Sequence, residues 1–432
     1  MLPGDEGSID MPILQEDLAQ RLREAREAAG LKQEDAARQL GISRSSVAQI
    51  ELGNRAVSSL ELDSLGHLYG RDIRDFLATE FRPEDSLVAL FRAEPGVAGR
   101  DEVVKAIGDC VALARELANL EGLLGPDRAQ LGVPAYSGGA LRNKWQAIEQ
   151  GMRVAADERR RLGLTIRPVG DAADLLGGEG VRTALLDLPE DVSGLTLMDP
   201  ALSLFVVVNR RHSLLRRRFS WVHEYAHVLF DRQLRGTLSR ASNRDDLAEV
   251  RANVFAACFL MPEEGVRDFL IHLGKGQPSR ERLEVFDGVA AVPAETRTEP
   301  GSQRVQVYDV VLLAHHFGVS RTAALYRLRN LHRLSQADLE KLLAEEEAGQ
   351  GKRIARLLGL PEPDHSAGRE EFRSRFLGLA LEAYRREKIS RGKLRELAAS
   401  VGVSGDDLAA LLEVDGLQED EASAALLPED FE

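Results

Sequence analysis

Cysteine is nearly missing from this chain. Cys110 and Cys258 are the two among 432 residues, and they lie in unrelated helical patterns. That excludes a disulfide framework and a cysteine-built zinc cluster, and leaves two buried thiols as the expectation. No apolar run approaches membrane-spanning length, and Met1 to Glu6 carry neither the basic nor the apolar region of a secretion signal. A cytoplasmic protein with no membrane partner is expected. Positive charge is in deficit: 56 Lys and Arg face 70 Asp and Glu, for a net charge of −14. Such a balance favours solubility and argues against a protein that coats nucleic acid. Aromatics are sparse, but hydrophobic content is ordinary, and the length suits about two to four domains.

What is present is most informative at Val222-His223-Glu224-Tyr225-Ala226-His227-Val228. The pattern H-E-x-x-H sits in an apolar stretch from Phe219 to Phe230 that no Pro or Gly interrupts. On a helix, His223 and His227 leave from one face, and two imidazoles at that spacing can grip one Zn²⁺. Glu224 is turned away from the ligand pair yet can reach a water at the metal, as a general base must. A catalytic zinc site needs a third ligand. The extended metzincin pattern would require Gly at 230 and His at 233, where Phe230 and Gln233 stand, so that subclass is excluded. A second helix is expected over Asp246–Met261, closed by Pro262, with Ala252, Phe255, Ala256 and Phe259 as its apolar face. Glu249 near its start can complete a His-His-Glu site, although a carboxylate there also suits the helix dipole. Asn253, one turn on, is placed to hydrogen-bond a ligand from behind. Such a site accepts Zn²⁺, Mn²⁺ or Fe²⁺.

These two stretches, R-R-R-F-S-W-V-H-E-Y-A-H (216–227) and E-V-R-A-N-V-F-A-A-C-F-L-M-P (249–262), resemble the ImmA/IrrE family of metallopeptidases. The likeness covers roughly residues 140 to 335. It includes the strand-like segments Val192–Leu197 and Leu204–Asn209, which lead into the active-site helix. Carried over by position, it implies His223, His227 and Glu249 as metal ligands and Glu224 as the base. It also implies a protein substrate, a helix–turn–helix repressor whose cleavage switches on phage, mobile-element or stress genes. The residue that stabilises the oxyanion stays open among His212, Tyr225 and Tyr308.

Residues 15 to 78 read as five short helices. Gly41 supplies a turn between Gln33–Leu40 and Arg44–Glu51, and Ser43 is a natural N-cap. From Leu31 to Arg55 the chain resembles the XRE, or Cro/phage-repressor-like, DNA-binding domain. The resemblance implies that Arg44, Ser45, Ser46 and Gln49 face base edges of a DNA operator, with Gln33, Asn54 and Arg55 at phosphates. Val47 and Ile50 are core residues on any reading. Acidic residues outnumber basic ones across this module, so a helix–turn–helix used for protein contact stays open.

The expected architecture is multidomain and mostly α: a five-helix helix–turn–helix domain (12–80), a helical connector and linker (81–137), an α/β zincin-like peptidase core (138–335), a helical module (340–415) and an acidic, disordered tail (416–432). The connector's amphipathic stretch, Arg100 to Gly122, either packs on a neighbouring domain or forms a homodimer, as paired operator half-sites require. Leu164–Ile166 and Thr183–Leu188 are further strand candidates. Phe205–Val208 reads as a buried or edge strand, and such an edge suits an extended substrate. Residues 273–304, rich in Gly, Pro and charge, read as a flexible loop. The run Arg210, Arg211, Arg216, Arg217, Arg218 reads as a solvated helix start or as a site for substrate acids. Two other functional classes remain: a transcription factor whose peptidase-like domain senses a ligand without cleaving, and the protease partner of a toxin–antitoxin or phage-defence pair.

Overall fold

A computed structural model describes residues 13–414, apart from 29–30, 70, 72, 78–85, 93–95, 98, 126–131, 137–138, 200–201, 276–279, 287–290, 298–301 and 362–370. The tail expected to be disordered and the N-terminal segment lie outside the described residues. The contacts of the chain group into two units, the first running to Ala114 and the second beginning at Arg115.

The first unit opens with five helices: α1 (Gln15–Ala28), α2 (Gln33–Leu40), α3 (Arg44–Glu51), α4 (Ser59–Leu68) and α5 (Ile73–Leu77). They close on Leu22, Ala36, Val47, Ile50, Leu65 and Phe76, all buried. Gly41 takes the left-handed conformation that ends α2, and the Ser43 hydroxyl accepts from the Ser46 amide to start α3. Beneath the turn lies a buried ion pair. Arg26 Nε meets Glu51 Oε1 at 2.6 Å, and Arg26 Nη2 meets Glu51 Oε2 at 3.0 Å. Two helices follow, α6 (Ser86–Arg92) and α7 (Asp101–Leu124), the latter ending in the second unit.

In the second unit a four-stranded sheet carries the order β1 (Arg182–Leu186), β3 (Ser203–Asn209), β2 (Val192–Asp199), β4 (Gly236–Arg240). β1 runs parallel to β3, and the other two pairings are antiparallel. β3 is the unbroken apolar run because both its faces are covered. Val206 and Val208 join the main core, while Phe205 meets Phe372 edge-on at 6.4 Å. β3 is therefore central, so of the two readings of Phe205–Val208, buried or edge strand, the buried one holds, and the edge strand beyond β2 that could receive an extended substrate is β4.

Helices α8 (Lys144–Arg161), α9 (Ala172–Gly178), α10 (Leu214–Phe230) and α11 (Leu247–Leu260) accompany the sheet. α10 packs on β2 and β3, and α11 packs between α10 and α8. Gly151 lets α8 come that close: a Cβ there would stand 2.7 Å from the Arg251 carbonyl. Leu164–Ile166 is not a strand. It closes the end of α8, with Thr165 at φ +46° and its carbonyl taken by Arg159 Nε at 2.8 Å.

Beyond the short α12 (Glu263–His272), the 273–304 segment also departs from expectation. It carries a hairpin, β5 (Arg280–Phe286) paired antiparallel with β6 (Ala291–Arg297). Its charge and its Pro hide the two-residue alternation that marks a strand. Pro293 is tolerated because a two-stranded ribbon has only edges. The remaining helices are α13 (Val307–Phe317), α14 (Arg321–Asn330), α15 (Gln336–Glu347), α16 (Gln350–Leu357), α17 (Glu371–Arg385), α18 (Arg391–Ser400) and α19 (Gly405–Val414). The end of α7 within this unit is tied to the last module by Lys393–Glu116 and Arg375–Glu121 ion pairs, each 3.0 Å. Cys110 and Cys258 are both buried thiols. Among the described residues no helix is long and apolar enough to cross a membrane.

Candidate metal centre and helix–turn–helix surface

Helix α10 enters the core with the polar residues of its second half inward. His223, Glu224 and His227 are all buried, and so is Glu249 from the first turn of α11. His223 Nε2 lies 3.1 Å from Glu249 Oε2 and 3.3 Å from His227 Nε2, and His227 Nε2 lies 3.3 Å from Glu249 Oε1. Donors about 2.0–2.1 Å from one ion at tetrahedral angles stand about 3.3 Å apart. The three side chains therefore fit one divalent ion with a fourth position left over.

The outer nitrogens are also held. His223 Nδ1 is 3.0 Å from Asn253 Oδ1, and His227 Nδ1 is 2.9 Å from Asp231 Oδ2. Each contact directs a ring's Nε2 toward the shared centre. Asp231 in turn accepts from Arg251 Nη2 at 2.6 Å. Burial disfavours a charged ring at His227, yet Asp231 and Glu249 outweigh it and hold its pKa at about 10. Burial likewise opposes charge on Glu249, and the two imidazoles overcome it, holding that carboxyl at about 2.

Glu224 stands beside the triad without belonging to it. Thr196 on β2 donates to its Oε2 at 2.7 Å, while Oε1 is buried and has no hydrogen-bond partner in the protein. The carboxylate lies against the bare Cα of Gly194, where a Cβ would come within 2.7 Å of Cδ. An orphaned carboxylate oxygen next to three clustered donors is what a site built for an ion and a water leaves exposed to view. Ser239 on β4 completes the wall, its Oγ 3.2 Å from His223 Nε2.

Four residues of this arrangement escaped the sequence reading: Gly194, Thr196, Asp231 and Ser239. Asp231 had a legible signal, since a carboxylate four residues past His227 falls on the same helix face. The others lie on strands whose register a single sequence does not disclose. Of the oxyanion candidates, Tyr225 points away from the triad and donates to Glu158 Oε1 at 2.6 Å. His212 Nε2 lies 3.2 Å from the Glu190 carbonyl, and Tyr308 is half exposed on α13. The arginine run is not a solvated helix start throughout. Arg217 is buried, and Arg218 donates to the carbonyls of Gly170 and Val169 at 2.6 and 2.5 Å.

On the other unit, α3 turns its polar side chains outward. Arg44, Ser45 and Gln49 are exposed, Ser46 is half-buried, and Val47 and Ile50 face the core. The Ser45 and Ser46 hydroxyls lie 2.7 and 2.8 Å from Ser43 Oγ. Asn54 donates to Gln49 at 3.0 Å, Gln33 to Glu51 at 2.8 Å, and Arg55 pairs with Glu61.

Fold and site thus define a helix–turn–helix domain joined in one chain to a zincin-like core with a His-His-Glu cluster. Comparison with family models agrees. A helix-turn-helix domain model matches residues 17–77, and a peptidase-family model described as the IrrE N-terminal-like domain matches residues 178–286. The first match spans α1 to α5, and the second contains the whole triad and Glu224. The chain therefore joins a helix–turn–helix domain to an IrrE N-terminal-like domain of the metallopeptidase type. No curated protein matches the chain.

Proposed function

We propose that this protein is a DNA-binding transcriptional regulator whose metal-dependent endopeptidase cleaves a repressor or a similar protein, switching on stress, phage or mobile-element genes. The observation that carries the reading is the buried, unpartnered Oε1 of Glu224 beside the His223–His227–Glu249 cluster. A complete ligand set with a base in reach favours an enzyme over a ligand sensor that has lost catalysis.

His223, His227 and Glu249 would hold the ion, with Zn²⁺ first and Mn²⁺ or Fe²⁺ also compatible. An ion bound there would supply Lewis acidity toward a scissile carbonyl and would acidify a neighbouring water. Glu224 Oε1 takes the proton of the attacking water and later passes it to the leaving amide nitrogen. Thr196 fixes the other carboxylate oxygen, so the base meets the water in one orientation. Asn253 and Asp231 keep both imidazoles facing the ion. On the helix–turn–helix domain, Arg44, Ser45, Ser46 and Gln49 read base edges, while Gln33, Asn54 and Arg55 serve the phosphate backbone.

The test pairs metal analysis with cleavage of repressors encoded beside this gene. Protein made with zinc carries about one ion per chain, and His223→Ala or Glu249→Ala loses it. Glu224→Gln keeps the ion and loses cleavage. Zinc-supplied protein that purifies without metal, or cleavage that persists in Glu224→Gln, overturns the enzyme reading.

A further inference from the structure

The second unit contains a cavity of about 1060 Å³ whose lining includes none of the metal-cluster residues. It is bounded by α9, β1, the first turns of α10, α13, α16 and the start of α17. Its volume is at the upper end for small-molecule sites, which typically span about 300–1000 Å³. One part of the wall is apolar, formed by Leu185, Trp221, Val311, Leu360 and Phe372. The rest is cationic. Arg217, Arg218, Arg321, Lys352, Arg356 and Arg375 line it, against Asp171 and Asp174.

Several of these charges are already engaged. Asp171 caps α9 by accepting from the Ala173 and Asp174 amides. Arg321 pairs with Glu346 at 2.7 Å and Arg375 with Glu121 at 3.0 Å. Others keep cationic character toward the cavity. Among the described residues no ion pair engages Lys352 or Arg356, and both are exposed. Arg218 is fixed over Gly318 by two backbone carbonyls, and its Nε is buried with no hydrogen-bond partner. Burial lowers its pKa, the mark of a cation with too little compensating charge around it. Fixed arginines around an apolar floor suit a ligand with bidentate acceptor groups on a hydrophobic body.

We infer that this cavity is a binding site for a multiply charged organic anion, its phosphate or carboxylate groups on the Lys352, Arg356 and Arg218 side and its apolar body against Trp221 and Phe372. The inference goes beyond the proposed function and does not depend on the metal cluster being active. The ligand touches Leu214, Leu215 and Trp221, the turns of α10 that precede the metal-binding histidines.

The experiment uses the full chain and a pyrene trisulfonate dye as probe, followed by fluorescence anisotropy at low salt. Saturable binding at one site per chain is expected, with little binding of a pyrenyl trimethylammonium cation of similar size. Reversing both exposed cations, Lys352→Glu with Arg356→Glu, weakens the trisulfonate about tenfold or more, and added salt weakens it in the parent. Gly177→Trp fills the cavity from α9, where a Cβ meets nothing within 4 Å, and abolishes binding. Arg160→Glu, an exposed reversal on α8, leaves it unchanged. Melting curves and metal content of the variants match the parent, since none of these residues touches the metal cluster. Equal binding of anion and cation, or parent-like affinity in the double reversal and in Gly177→Trp, overturns the inference, whatever the fate of the peptidase assay.

Discussion

Helices α3 and α10 both carry chemistry, and they expose it in opposite directions. α3 points Arg44, Ser45 and Gln49 at solvent, while α10 buries His223, Glu224 and His227 in the core. Buried polar groups are costly unless paired, so the core declares its function through the partners it keeps and the one it lacks. The metal cluster is legible from contacts alone. The proposed recognition face of α3 is not, because its proposed partner is a separate molecule and its side chains settle on one another meanwhile.

The sharpest way to break this contrast is Gly194→Ala. The added Cβ collides with the Glu224 side chain, to which its three nearest atoms all belong. Cleavage should fall by about 10²–10⁴, the usual worth of a positioned general base, while metal content stays near one per chain. Metal loss equal to activity loss would show that Gly194 supports the ligand cage rather than the base.

Next in size is Arg26→Ala. In the buried Arg26–Glu51 pair the helix–turn–helix unit behaves like the core around the metal cluster. Removing one partner should destabilise that unit by roughly 3–5 kcal/mol. Denaturant melts of the isolated module (residues 13–77), whose helices close their own core, read this directly. A loss below about 1 kcal/mol would mean that the pair is hydrated in solution.

Legibility followed the same division. The boundaries of α2, α3 and α11 were readable because apolar residues recur at helical spacing and Gly41, Ser43 and Pro262 punctuate them. His223, Glu224, His227 and Glu249 were readable because helical spacing converts sequence distance into geometry. Gly194, Thr196 and Ser239 were not, because they reach the site through β2 and β4, whose pairing depends on residues far apart in the chain. β4 itself, Gly-Thr-Leu-Ser-Arg, has no apolar run to announce it. Asp231 was overlooked although its spacing was available.

Asp231→Asn keeps an acceptor for His227 but removes its charge. Metal affinity should weaken by about 10–100-fold, measured by competition with a chelator. The pH dependence sharpens the point. Without an ion, His227 is held at about 10 against an ordinary 6.5, so its contribution to stability is complete below 6.5 and is lost as pH rises through 10. Glu249, held at about 2 against 4.5, contributes above 4.5 and loses its contribution as pH falls through 2. Metal-free protein should therefore melt at progressively lower temperature as pH is raised from 6.5 toward 10. Metal binding displaces the His227 proton, so metal affinity should rise over that same range. A metal-free melting temperature that is flat there would place the His227 proton elsewhere.

The smallest effect on the fold belongs to α3. Arg44→Ala or Gln49→Ala should weaken specific operator binding by about 1–3 kcal/mol each and shift stability by no more than about 0.5 kcal/mol. Footprinting across the gene's own promoter, with a salt series for the non-specific component, checks it. If no protected sequence emerges there or from a genome-wide pull-down, α3 is a protein-docking helix.

One rod, α10, lines a cationic cavity with Leu214, Arg217 and Trp221 and carries the candidate ligands His223 and His227, the first of them two residues past Trp221. Two occupants of a single rod obey reciprocity: whatever factor an anion applies to the affinity for the ion, the ion applies in return to the affinity for the anion. A chelator titration at fixed anion and an anion titration at fixed free zinc must then report one and the same coupling constant. A coupling so measured would make metal supply and anion supply interchangeable inputs to one pair of sites.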